Sequence, residues 1–164
     1  WRRAEDGEEL MYPMLKEPDA DANPALRLRV MRILWAAFLM TIGLFLLVTY
    51  FVRPSADAAA EVGRENPVLL AALAAIGLST VVASFFVKAG FYRRAAERQE
   101  PAVLQTGFIV ALALCEAAVI LGMVGLFATW SDYAYLLFGL GALGEALHFP
   151  RREQVMSAYY RPAG

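Results

Sequence analysis

Glu116 stands near the centre of "LQTGFIVALALCEAAVILGMV", residues 104–124, a stretch otherwise almost entirely apolar. A carboxylate in hydrocarbon costs several kcal/mol unless it is protonated, paired or hydrated. Counted from Pro101, Glu116 is about 15 residues along its helix, or about 22 Å at the α-helical rise. That is deep in a hydrocarbon core about 30 Å thick. Desolvation favours the neutral acid there. Such a group can hold and release a proton, or it can simply be a protonated hydrogen-bond anchor between helices.

Glu145 and His148 form the second constellation, in "LGEALHFPRR". Spacing i, i+3 puts them on one helix face as a polar pair. Glu-x-x-His is half of a di-iron signature, but the other half needs a second histidine, and His148 is alone in the chain. With one His and one Cys, Cys115, no metal site of this chain alone is expected. A single imidazole could still serve as axial ligand to a haem or chlorophyll shared with a neighbour. Glu145 lies about one turn from the near surface. The gap to Glu116 is therefore on the order of 15 Å along the membrane normal, too far for a direct pair.

The elements that must position these residues are apolar helices. Of 164 residues 59% are hydrophobic, above the share usual for soluble domains, and the excess is gathered into four blocks. The expected fold is an all-α integral membrane protein, a four-transmembrane-helix bundle. Its spans are residues 28–52, 67–91, 101–128 and 133–149. Residues 1–26 read as a polar arm with no apolar leader segment, and 151–164 as a basic interfacial tail. Asn23-Pro24, Pro67, Pro101 and Pro150 punctuate the blocks. Gly122, Gly125, Gly139, Gly141, Ala142 and Gly144 supply small surfaces for close helix contact, and aromatic residues gather at the ends.

Orientation follows from Lys and Arg placement. Arg27, Arg29 and Arg32 crowd the start of the first span; Lys88, Arg93, Arg94 and Arg98 lie at and beyond the end of the second; Arg151, Arg152 and Arg161 follow the fourth. The first loop offers Arg53 and Arg64 against Asp57, Glu61 and Glu65, and the third loop offers no basic residue. Both termini are expected in the cytoplasm, across a bacterial inner membrane. Net charge is −1, which gives no argument for nucleic acid.

"RQEPAVLQTGFIVALALCEAAVILGMVGLFA", together with the preceding span, resembles the hairpin of rotor-ring subunit c of rotary ATP synthases. The resembling features are Arg98 and Gln99 in a cytoplasmic polar loop, Gln105 and Thr106 at the outer-helix start, and Glu116 followed by Ala117. The resemblance implies ion binding at Glu116, with Gln105 in support, and proton or sodium transport. It also implies a glycine-patterned inner helix. Here that helix holds only Gly77 in its core, beside bulky Val81, Val82, Phe85 and Phe86, a composition that opposes a tight ring.

With no nucleotide loop, nucleophile triad or ligand cluster, the chain does not read as an enzyme. The expected function is a non-catalytic accessory subunit of a larger energy-transducing membrane complex, respiratory, photosynthetic or ATP-synthesising. Its partners would be other integral membrane subunits and lipid. The alternative is a proton-translocating, rotor-c-like protein with Glu116 as carrier.

Overall fold

The computed structural model describes residues 23–52 and 66–160. Most of the expected polar arm, the first loop with Arg53 and Arg64, and the end of the tail, 161–164 with Arg161, lie outside the described residues.

Among the described residues the chain is helical throughout: α1 Pro24–Val52, α2 Pro67–Arg98, α3 Pro101–Thr129, α4 Tyr135–Leu147 and α5 Arg152–Met156. Each long helix begins with proline, where a missing N–H costs nothing because that donor has no intrahelical partner. Asn23 and Asn66 cap the first two, their Oδ1 atoms accepting from Ala25 N and Leu69 N at 3.0 Å. α2 and α3 are joined only by Gln99 and Glu100, with Gln99 left-handed at φ 54°. They form a tight antiparallel hairpin.

Three helices, α1, α2 and α3, are long and apolar enough to cross a membrane. The fourth expected span is different. α4 has 13 residues, about 20 Å at the helical rise and short of a full hydrocarbon core. It starts well below the end of α3, after a 3-10 turn at Asp132–Ala134. A Cβ on Gly122 would sit 2.9 Å from Leu137 Cβ and 3.1 Å from Ala134 O, so α4 begins about two turns before α3 finishes.

From there α4 packs on α3 through bare backbone. A Cβ on Gly141 would lie 2.8 Å from the Cys115 carbonyl oxygen and collide with Val119, and one on Gly144 would lie 2.8 Å from Cys115 Sγ. Without a hydrophobic force between helices in lipid, such close van der Waals contact is what holds them together. Past α4 the chain turns at His148 and Pro150. Short α5 then places Val155 and Ala158 against Met31, Ala95, Leu104, Phe108 and Leu112, closing the end of the bundle that carries the α2–α3 turn. The chain therefore returns to the level of the first turns of α1.

Candidate functional site

Two polar arrangements meet where α4 ends. The first faces α2. Ser84 Oγ lies 2.6 Å from the Val81 carbonyl oxygen, which can only accept, so the hydroxyl donates there. Ser84 must then accept from His148 Nε2, 2.8 Å away, and from Cys115 Sγ at 3.5 Å. That geometry assigns the Nε2–H tautomer to neutral His148. The ring packs on Phe85 with centroids 4.4 Å apart. Lys88 Nζ donates to the His148 carbonyl oxygen at 3.2 Å and lies 5.2 Å and 5.7 Å from the ring centroids of Tyr92 and Phe108. Its charge is thus held by a carbonyl and two aromatic faces.

The second arrangement faces α1 and α3. Three stripes run in parallel there: Trp35, Leu39 and Ile42 on α1; Glu116, Val119 and Met123 on α3; and Phe138, Ala142 and Glu145 on α4. Spacings of three and four residues put each set on one helix face. The upper members form an apolar cluster of Ile42, Val119 and Phe138, with Leu39, Met123 and Ala142 against it. Trp35, Glu116 and Glu145 form its lower edge. Trp35 Nε1 donates to the Glu145 carbonyl oxygen at 2.8 Å. The Glu145 side chain is 0% exposed, and neither carboxyl oxygen has a hydrogen-bond partner. Glu116 is partly exposed on the outer side of the same edge.

Glu116 and Glu145 share one level of the bundle, since Cys115 abuts Gly144 and each acid is the next residue in its chain segment, which overturns the separation expected from the sequence. The reason is helix length. At 32 and 29 residues, α2 and α3 measure about 48 and 44 Å, longer than a hydrocarbon core. The first turns of α3 run beside the basic end of α2: a Cβ on Gly107 would collide with Phe91, next to Arg93 and Arg94. Counting from Pro101 therefore overstates the depth of Glu116, which sits beside Cys115 at the level of Gly144.

The Glu145–His148 pair is not formed. The helix stops at Leu147, and His148, with φ −85° and ψ 9°, carries its imidazole to Ser84 on α2 while Glu145 stays on the α1–α3 side. Nor does His148 suit a haem or chlorophyll as folded. It is 1% exposed, its Nε2 proton is committed to Ser84, and Phe85 lies on the ring. Gln105 is on α3 eleven residues before Glu116, about 17 Å away at the helical rise, so the two cannot hold one ion. Among the described residues no three His, Cys, Asp or Glu side chains are grouped to hold a metal.

Ser84, Lys88, Cys115 and Trp35 belong to this region, although the sequence reading gave them no role in it. The signal for two of them lay in the hairpin: Ser84 and Cys115 are equally distant from the turn at Gln99 and Glu100, so an antiparallel register pairs them. Comparison with known protein families, curated proteins and solved structures found no match for this chain.

Proposed function

We propose that the chain is a non-catalytic subunit of a larger energy-transducing membrane complex, packed against another integral membrane protein along the Glu116 face of α3. One observation carries this reading: Glu116 is partly exposed at the edge of an apolar groove among helices fit to cross a membrane. A carboxyl facing lipid is costly, and a covering helix with a donor removes the cost.

In this reading Arg32, Lys88 and Arg151 mark the cytoplasmic headgroup level. Arg32 lies 5.6 Å from the Phe149 ring centroid, and Trp35 meets the same ring at 5.1 Å, in the manner of an interfacial belt. α4 then crosses about two thirds of the core, and residues 148–151 complete a fourth, partly helical passage. Both termini face the cytoplasm of a bacterial inner membrane.

A second reading makes Glu116 an ion carrier, as the likeness to rotor subunit c implies. The same partial exposure favours it, because a carrier must reach a second surface. Copy number separates the two. Purification from native membranes in mild detergent, with mass spectrometry and an absorption spectrum of the product, tests both. The subunit reading expects one copy bound to different membrane subunits. A symmetric ring of this chain alone would overturn it in favour of the carrier, and an isolated monomer would overturn both.

A further inference from the structure

We infer that Glu116 and Glu145 together form one proton-binding site, with Glu145 as its sealed inner half and Glu116 as its access to the outer face of α3. The inference stands whether or not the chain is a subunit of something larger.

The geometry is that of the three stripes. Cys115, the residue before Glu116, abuts the backbone of Gly141 and Gly144, and Glu145 follows Gly144. Both acids sit at the lower edge of the α1–α3–α4 groove. The charged or titratable groups on neighbouring elements are otherwise engaged. Lys88 of α2 is bound to the His148 carbonyl; His148 and Cys115 are bound to Ser84; on α1, Arg32 lies over the Phe149 ring and the Trp35 N–H goes to the Glu145 backbone. None of them reaches the Glu145 carboxyl, whose two oxygens are buried without a donor. The charge that does act on Glu145 from across the groove is that of Glu116.

Two ionised carboxylates so placed repel each other and lack donors, so the site calls for a cationic ligand. A metal ion such as sodium or calcium takes several oxygen ligands, and among the described residues no three His, Cys, Asp or Glu side chains are grouped to supply them. A proton needs one acceptor at a time. With one proton on the pair the exchange is balanced: the Glu116 acid O–H bond breaks, the proton goes to a Glu145 oxygen, and Glu116 is left as the carboxylate. Total charge stays at minus one.

Infrared titration of the carboxylic-acid C=O band tests this in the full-length protein in lipid bilayers, as wild type, Glu116→Gln and Glu145→Gln. A shared site titrates as a pair, in two macroscopic steps belonging to both groups. Each single variant is expected to titrate in one step, and the wild-type curve to differ from the sum of the two variant curves. A wild-type curve equal to that sum would overturn the inference. Helical circular dichroism checks folding, and Glu116→Met or Glu145→Met replaces the corresponding glutamine variant if it fails. Exchanging choline chloride for sodium chloride at fixed pH is expected to leave the wild-type band unchanged. Sodium-specific loss of the band would overturn the proton assignment in favour of a metal cation.

Discussion

The two sides of α4 deal with buried polarity in opposite ways. Toward α2, the polar side chains Ser84, His148, Cys115 and Lys88 all have partners and form a hydrogen-bonded joint, with the Tyr92 hydroxyl one turn away buried outside it. Toward α1 and α3, one element away at the same depth, Glu145 is fully buried with both carboxyl oxygens unpartnered, and Glu116 is partly exposed. A satisfied network specifies a structure, whereas an unsatisfied group destabilises it and points to another use. The first side therefore reads as the joint that holds the short helix in place, and the second as the part of the molecule that acts.

The comparison depends on α4 resting directly on α3, and the strongest way to break it is to lift the helix off. Gly141→Leu forces side-chain atoms into Val119 and the Cys115 backbone. We expect a loss of about 3 kcal/mol, read as a lowered midpoint in thermal unfolding in detergent.

Opposite signs are expected from the two sides. His148→Leu removes the Nε2–H donor to Ser84 Oγ at a fully buried position, with an expected loss of about 2 kcal/mol. Glu145→Met keeps the shape and removes two orphaned oxygens, with an expected gain of about 1–3 kcal/mol. Equal losses in the two variants would show Glu145 to be as well satisfied as His148 and would erase the contrast.

Smaller effects sharpen it. Trp35→Phe removes the Nε1–H bond to the Glu145 carbonyl while keeping a ring against Phe149. The expected loss is about 1 kcal/mol, read as a lowered midpoint in thermal unfolding. Gly139→Ala, where an added Cβ meets nothing within 4 Å, is expected to be neutral or stabilising by up to about 1 kcal/mol through helix propensity.

The long helices were legible because their signals are local. Runs of apolar residues and a proline at each start bound α1, α2 and α3 to within a few residues, apart from the added polar turns at the basic ends. The depth of Glu116 went astray there, since it was counted from Pro101 although the first turns of α3 run beside the added basic turns of α2. The identity of Glu116, Glu145 and His148 as the residues to watch was also legible, because polar side chains are costly in apolar runs. Their partners were not. Which way His148 turns depends on where α4 stops, and that depends on the glycines of α4 seating on Cys115 and Val119, contacts between helices that no local pattern encodes.

The central claim is that the Glu116 face is covered by another membrane protein. Its most direct test places a photo-crosslinking residue at Ala113, exposed one turn from Glu116, and separately at Met40, 76% exposed on α1. Both variants are irradiated in native membranes. We expect position 113 to crosslink to one different integral membrane polypeptide and position 40 to give lipid adducts. Lipid adducts alone from both positions would contradict the claim and leave Glu116 facing the bilayer.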